Sequence, residues 1–376
     1  TVGLFTVFVK GFGFGKEILI AENFGLSELL DTFYIAFLAP SLIYNIFLGS
    51  FKSVFIPNYV GTLKSNKLII GSFQSTSFLI TIVIALVFYI LAFLFTDFYL
   101  EVFFKGQTNN YYLLIKKQFY FISPCILLWG VSSIISGLLT INNEFKYSSL
   151  SPVLTPISII ICLLFFKETL GDLVLAIGTL LGSTSGLIFL FVVAYKRDLI
   201  ILHKPDLLSS NIKIMFTQLP AKITSSLLVG INPFVDQFFS AQLVIGSIAA
   251  LNYGIKIPAF AIGIVSIAIG NVMLPYFSKH AIDDIASTFK KLHDILKQLV
   301  IFSILITIIL YVSSSFIISF FFERNAFTNS DTMIVSKIQQ MYLLQIPSYI
   351  TGLIMVKFLT SINKNNFIWN FNCCFI

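Results

Sequence analysis

Ten long apolar segments, separated by short polar connectors, account for most of this chain of 376 residues. A membrane-spanning helix takes about 20 consecutive apolar residues, and the bilayer interior accepts only segments whose backbone hydrogen bonds are satisfied internally. The sequence therefore predicts an all-α integral membrane protein that crosses the bilayer many times. The predicted spans are 2–21, 31–57, 68–95, 118–141, 148–166, 171–195, 213–239, 244–276, 298–321 and 334–360, and the apolar stretch 366–376 is too short to be a further one.

The composition excludes a water-soluble protein. Hydrophobic residue types make up 57% of the chain and charged types 11%, whereas soluble domains carry about 25% charged residues. In a membrane protein, a net charge of +7 is explained by Lys and Arg residues in the cytoplasmic loops. We therefore expect no nucleic-acid partner. Connectors that follow even-numbered spans hold about twice as many Lys and Arg as the others, which predicts a cytoplasmic N-terminus.

No residue pattern indicates bond-breaking chemistry. The three His residues lie in polar connectors, and the four Cys residues lack the spacing of metal ligands. The segment Gly11-Phe-Gly13-Phe-Gly15-Lys16 lacks the preceding strand and the spacing of a nucleotide-binding loop, so close helix packing is the expected reason for its glycines. We expect no enzyme activity, no catalytic residues, no cofactor and no metal site.

Proline spacing suggests an internal repeat. Pro40 and Pro57 bracket sixteen residues in the second span, and Pro258 and Pro275 bracket sixteen residues in the eighth. Six spans separate the two copies, an even number, so both copies run in the same direction through the membrane. That arrangement is typical of two lobes related by an axis along the membrane normal. The alternative is that proline simply marks helix ends.

The repeat predicts two pseudo-symmetric six-helix lobes around a central cavity. We expect an N-lobe of six transmembrane helices at 1–197, a cytoplasmic linker at 198–212, and a C-lobe at 213–376. Only four to five spans fit in the second lobe, so we expect it to be incomplete.

Charged residues inside the predicted spans are the candidate binding residues. Such residues are energetically costly in hydrocarbon and usually line a cavity. Their balance is basic, which favours a cationic cavity for an anionic, phosphate-bearing substrate. Snorkelling of the lysines to the membrane surface, a helix-capping role for Asp31 and a surface position for Asp236 are the alternatives. The candidates are Lys10, Lys16, Asp31, Lys222, Asp236 and Lys256.

The sequence resembles a known family at two places. Residues 30–57, which begin Leu30-Asp31-Thr-Phe-Tyr and end Ile56-Pro57, resemble the second-span signature of the MurJ/MviN family. Residues 228–280 resemble its seventh and eighth helices. Members of this family move lipid II, the undecaprenyl-pyrophosphate precursor of peptidoglycan, across the bacterial inner membrane. The resemblance implies alternating access, with lipid II or a similar anionic polyprenyl-pyrophosphate glycolipid as partner.

The resemblance also assigns positions in the family's central cavity. Its arginines fall on Lys10, Lys16 and Lys256 and its aspartate on Asp31, so the sign of each charge is kept. A second-helix arginine pair falls on Tyr44 and Asn45, which makes Tyr44 a further candidate site residue. Family members have about fourteen helices, so we expect this chain to be truncated at its C-terminus.

Three other functions remain open from the sequence. The loss of the arginine pair favours a flippase for another undecaprenyl-pyrophosphate-linked oligosaccharide, of the O-antigen or capsule type. A cation-coupled drug exporter is disfavoured, because such proteins need an acidic cavity and this one is predicted to be basic. The third is a membrane scaffold without transport activity, or the product of a decayed gene.

Overall fold

The computed structural model describes residues 2–65, 69–283 and 285–361. All of the regular secondary structure within these ranges is helical. The α-helices are α1 (Val2–Phe24), α2 (Glu28–Ile43), α3 (Gly49–Ser65), α4 (Ile70–Leu94), α5 (Thr96–Phe103), α6 (Asn109–Ile122), α7 (Cys125–Ile141), α8 (Phe145–Leu150), α9 (Leu154–Phe165), α10 (Lys167–Leu170), α11 (Val174–Lys196), α12 (Ser210–Ser240), α13 (Ser247–Asp283), α14 (Ile285–Val312), α15 (Ser314–Phe322), α16 (Asn329–Leu343) and α17 (Ile346–Ser361).

Each of the ten predicted spans coincides with one of these helices or with two consecutive ones. Nine helical stretches in the described part of the chain are long and apolar enough to cross a membrane. The helix α1 is similar in length, but it carries Lys10, Lys16, Glu17 and Glu22, so its passage through the bilayer stays a prediction. The prediction of an all-α, multi-pass membrane protein is confirmed.

The helices form two compact units. The first unit contains the chain up to Ile20 together with Ser27–Ile248, and the second contains Ala21–Leu26 and the chain from Ala249 onward. These units are defined by packing alone, and the predicted lobes 1–197 and 213–376, with their linker 198–212, stay a prediction.

Small residues bring α9 and α11 together in the first unit. A Cβ atom on Gly182 would overlap the Cα of Thr155, and one on Gly178 would lie 2.9 Å from the Cα of Ile159. These separations are shorter than any ordinary carbon–carbon contact. Glycine at every fourth position thus lets the two backbones touch, which is how helices commonly pack inside membranes.

The glycines of α1 do not work this way. In the part of the chain that the structure describes, nothing lies within 4 Å of a Cβ built on Gly11, Gly13 or Gly15. Our expectation that these residues serve close helix packing is wrong. A row of small residues allows close packing, but the sequence does not say whether another helix covers that face.

All four prolines of the predicted repeat lie inside helices. Pro40 and Pro57 belong to the continuous helical stretch Glu28–Ser65, and Pro258 and Pro275 belong to α13. The alternative that they mark helix ends is therefore wrong, while the repeat itself stays a prediction. A π-helical turn, Tyr44–Leu48, separates α2 from α3. Turns of this kind are rare in proteins, and those that occur often lie at functional sites.

The connector after α11 runs along the beginning of α4. The side chain of Gln74 accepts a hydrogen bond from the backbone N–H of Ile201 at 2.7 Å and donates one to the carbonyl of Leu199 at 2.9 Å. The hydroxyl of Ser75 accepts a further bond from the backbone N–H of His203 at 2.9 Å. Three backbone groups of the predicted linker are thereby satisfied by two side chains of α4.

Candidate functional site

A buried cluster joins α1 to α2 in the first unit. The ammonium of Lys16 lies 2.8 Å from Oε1 of Glu17, and the hydroxyl of Tyr34 donates a hydrogen bond to Oε2 of Glu17 at 3.3 Å. Glu17 is only 5% exposed, so its negative charge is compensated by the neighbouring lysine and by the phenol. The carboxylate that pairs with Lys16 thus belongs to its neighbour in the sequence, Glu17.

Asp31 holds the chain that leads into α13. It lies in the first turn of α2 and is 2% exposed, and its Oδ2 accepts a hydrogen bond from the backbone N–H of Gly246 at 2.6 Å. Gly246 has φ of +94°, a conformation that glycine adopts without strain. The carboxylate is therefore a structural anchor in this state, and its contact with substrate stays a prediction.

Lys52 projects into a cavity of about 430 Å³ inside the first unit. Its ammonium donates a hydrogen bond to the hydroxyl of Ser136 on α7 at 3.0 Å. The walls come from α2, the π-helical turn, α3, α7, α8, α9 and α11, together with the segment between α8 and α9. Lys52 is the one charged side chain among the described residues that line this space, which we call the Lys52 cavity. Its serine and threonine residues are Ser41, Ser132, Ser133, Ser136, Ser148, Ser151, Thr155 and Ser183.

Two aromatic rings form part of the same wall. Tyr44 and Trp129 pack edge to face with their ring centroids 5.7 Å apart, a favoured geometry for aromatic pairs. The indole N–H of Trp129 donates a hydrogen bond to the hydroxyl of Ser183 at 2.8 Å. The indole ring is thus held in one orientation at the edge of the cavity.

A second cavity, of about 490 Å³, lies between α2, the π-helical turn and α12. Lys222 contributes its positive charge, and Ser225 and Ser226 contribute hydroxyls. We call this space the Lys222 cavity. Ser41 and Asn45 line both cavities, so the two spaces meet at the π-helical turn. The first unit therefore offers two adjoining polar spaces with one lysine in each.

The structure brings together some of the predicted site residues and separates others. Tyr44 lines the Lys52 cavity and Lys222 lines the other. Lys10 on α1 and Asp236 on α12 are half-buried in the first unit, and neither lines these two cavities. Lys256 is half-buried on α13 in the second unit, so its convergence with the first-unit lysines stays a prediction.

Sequence reasoning missed three residues that the structure makes prominent. Lys52 and Glu17 are charged residues inside predicted spans, so the rule that selected Lys16 and Lys222 applied to them equally. Trp129 had a weaker signal, because a tryptophan in an apolar span is most often part of the core or the membrane interface. Within the described residues, no group of three His, Cys, Asp or Glu side chains is arranged to hold a metal ion.

A comparison with known protein families identifies the family to which the chain belongs. The family profile described as "Lipid II flippase MurJ" matches residues 20–364. The chain belongs to the MurJ family. This result confirms the resemblance that the second, seventh and eighth spans indicated.

Individual MurJ proteins match over nearly the whole chain. "Probable lipid II flippase MurJ" of Buchnera aphidicola subsp. Schizaphis graminum is 26% identical over 373 residues, covering 97% of this chain and 73% of that protein. "Lipid II flippase MurJ" of Thermosipho africanus is 29% identical over 348 residues, covering 92% of this chain and 70% of that protein.

Solved structures agree with the sequence matches. A structure described as "Lipid II flippase MurJ, inward closed conformation" superposes with a TM-score of 0.84 at 26% identity, covering 98% of this chain and 77% of that one. An inward-facing multidrug resistance MATE family transporter of the MOP superfamily superposes with a TM-score of 0.75 at 11% identity, covering 97% of this chain and 85% of that one. The second likeness concerns the fold alone.

Proposed function

We propose that this MurJ-family chain is a lipid II flippase of the bacterial inner membrane, with its N-terminus in the cytoplasm. The observation that carries the proposal is the match of the family profile to residues 20–364. The lysines of the two cavities support it, because an anionic lipid head group needs cationic partners away from bulk water. The chain would bind and move its substrate without making or breaking covalent bonds.

The cavity chemistry suits a pyrophosphate head group. A lysine ammonium acts as a compact point charge with three donors, and ammonium–phosphate hydrogen bonds are about twice as strong as those between neutral groups. We infer that Lys222 binds the pyrophosphate together with Lys10, Lys16 and Lys256, while the polyprenyl tail stays in the lipid. Alternating access would come from one lobe rocking against the other.

Glu17 has a distinct role in this mechanism. A lysine that is held out of water without a counter-charge is costly, and its pairing with a carboxylate reduces that cost. Glu17 pairs with Lys16 at 2.8 Å. An arriving phosphate would compete with Glu17 for the ammonium, so release of the substrate is assisted by the return of this ion pair.

A second candidate function has one specific observation in its favour. The arginine pair that the resemblance places in the second helix is replaced by Tyr44 and Asn45, and both of these residues line the Lys52 cavity. Fewer cations suit a head group of lower charge, such as another undecaprenyl-pyrophosphate-linked oligosaccharide.

Depletion rescue separates the two candidates. The gene is expressed in bacteria whose own lipid II flippase can be switched off, and in a second strain that lacks its O-antigen flippase. We expect growth and wall synthesis to return in the first strain and O-antigen display to stay absent in the second. The opposite pattern would favour the second candidate, and failure in both strains at normal protein levels would contradict both.

A further inference from the structure

Helices α7 and α11 of the first unit end beside each other, and both end in the same kind of turn. Asn143 follows α7 with φ of +62°, and Asp198 follows α11 with φ of +52°. In each turn the next backbone N–H donates a hydrogen bond to the carbonyl five residues earlier, at 2.8 Å after Asn143 and at 3.0 Å after Asp198. A left-handed residue followed by such a bond is a common way to close a helix. Both helix ends are therefore held in a defined conformation.

An ion pair and an aromatic ring connect these two helix ends. Nε of Arg197 lies 3.0 Å from Oε1 of Glu144. The ammonium of Lys146 lies 4.6 Å from the ring centroid of Tyr147, and both cations lie close to the phenol oxygen of Tyr147. The ring of Tyr147 packs against the apolar side chains between α7 and α11. We call Lys146, Tyr147 and Arg197 the Arg197 cluster.

The Arg197 cluster has an excess of positive charge. Glu144 compensates one of its two cations, whereas Lys146 forms no ion pair with the carboxylates that the structure describes. The adjacent Lys196 and Asp198 carry opposite charges. Lys146 is exposed and the Arg197 side chain is 49% exposed. Since an ammonium has three N–H donors and a guanidinium has five, the cluster can donate several hydrogen bonds to a ligand with one negative charge.

A row of apolar side chains on α11 leads directly to the cluster. Ile188, Val192 and Tyr195 are 57%, 42% and 70% exposed, and intervals of four and three residues place them on one face of the helix. Phe191 stacks on Tyr195 with the ring centroids 6.4 Å apart. The row is about 10 Å long, at a rise of about 1.5 Å per residue. Because α11 lies in a stretch that is apolar enough to cross a membrane, an acyl chain suits this surface better than water does.

We propose that the Arg197 cluster binds the phosphate of an anionic phospholipid. The phosphodiester accepts hydrogen bonds from Lys146, from Arg197 and from the hydroxyl of Tyr147, and one acyl chain lies along the apolar row of α11. The ligand is a lipid of the surrounding membrane that stays in place and is not transported. The proposal therefore goes beyond the flippase function.

Charge and position decide among ligand classes. The phosphodiester of phosphatidylglycerol carries one negative charge, which matches the one cation that Glu144 leaves uncompensated. Phosphatidylethanolamine adds an ammonium that Lys146 repels, and a water-soluble anion has no apolar part to cover the row on α11. The connectors that hold the cluster follow the fourth and sixth predicted spans, so they are predicted to be cytoplasmic. Anionic lipids give that leaflet a negative surface potential, which attracts Lys and Arg.

The test is photochemical labelling of the purified full chain in phosphatidylcholine vesicles. The probe is phosphatidylglycerol with a diazirine on one acyl chain, present as a small fraction of the lipid, and labelled peptides are identified by mass spectrometry. The internal control is α4, which has no charged residue and exposes Leu79, Val83 and Leu86 on one face. Labelling of α11 relative to α4 separates a bound lipid from passing lipids.

We expect α11 to be labelled several-fold more than α4, and unlabelled phosphatidylglycerol to compete where phosphatidylethanolamine does not. Lys146→Met should lower the excess labelling of α11 about fivefold, the effect of removing one basic residue at an anionic surface, and Lys146→Arg should retain the labelling. Tyr147→Phe, which removes only the hydroxyl, should lower it to a smaller extent. Lys213→Met, an exposed lysine on α12, is the matched control and should change nothing.

Equal labelling of α11 and α4, equal competition by the two phospholipids, or unchanged labelling in Lys146→Met would overturn the proposal. Stronger competition by undecaprenyl phosphate than by phosphatidylglycerol would overturn it as well, because the ligand would then belong to the class of the transported lipid. The flippase assignment is tested separately. A chain that rescues flippase-depleted cells but shows no excess labelling of α11 contradicts the phospholipid site alone.

Discussion

The carboxylate of Asp31 and the backbone N–H of Gly246 form a buried hydrogen bond of 2.6 Å between residues 215 positions apart. This contact ties the first turn of α2 to the turn that precedes α13 within the first unit. A residue that the family resemblance assigns to the substrate cavity thus also has a structural task, and the two roles can be separated by mutation.

Asp31→Ala should destabilise the protein by roughly 1.5–3 kcal/mol, because it leaves the buried N–H of Gly246 without a hydrogen-bond acceptor. Asp31→Asn keeps an oxygen that can accept the bond, so its stability should lie close to that of the wild type. Thermal unfolding in detergent measures the difference, with Asp172→Ala, an exposed carboxylate, as the control. Equal melting temperatures for Asp31→Ala and Asp172→Ala would contradict the structural role. A stable Asp31→Asn variant that no longer flips lipid would support a separate role for its charge.

Gly182→Ala should destabilise the α9–α11 pair by about 1–3 kcal/mol, since the added methyl group would overlap the backbone at Thr155 and force the helices apart. Gly13→Ala is the matched control, because a methyl group there meets nothing within 4 Å. Detergent-solubilised protein of each variant is compared by melting temperature and by recovery after gel filtration. Equal melting temperatures for Gly182→Ala and Gly13→Ala would show that α9 and α11 do not approach each other as closely as described.

Glu17→Gln should destabilise the protein by roughly 1–3 kcal/mol, because Lys16 loses its counter-charge. The effect should stay below that of a fully buried ion pair, since the Lys16 side chain is 20% exposed. The double variant Lys16→Met, Glu17→Gln should recover part of the loss, because no unpaired charge then remains. A double-mutant cycle on melting temperature measures the coupling. Additive effects of the two changes would show that Lys16 and Glu17 do not interact.

Much of the fold could be predicted from the sequence, because the signal is local. An apolar run of about 20 residues identifies a span without any knowledge of its neighbours, and all ten predicted spans are helical. The same local rule selected Lys222 and, applied without exception, would have selected Lys52. The free-energy cost of placing the Lys52 ammonium in hydrocarbon depends only on where Lys52 lies in its own helix.

The remaining features depend on which surfaces meet, and the sequence does not contain that information in local form. Gly182 and Gly13 look alike as small residues in apolar helices, yet one touches a backbone and the other faces open space. Nothing near Asp31 indicates that its acceptor oxygen will meet Gly246. The Lys52 cavity likewise exists only because side chains from several helices converge.

The most direct test of the central claim is lipid II translocation by the purified chain in sealed vesicles, read by the appearance of the head group on the outer face. We expect the wild type to translocate lipid II faster than protein-free vesicles do. Lys222→Met should lower the translocation rate about tenfold or more, and Lys213→Met should retain the wild-type rate. A wild-type rate equal to that of protein-free vesicles, with the protein folded and reconstituted, would contradict the flippase assignment. An undiminished rate in Lys222→Met would contradict the part assigned to its charge.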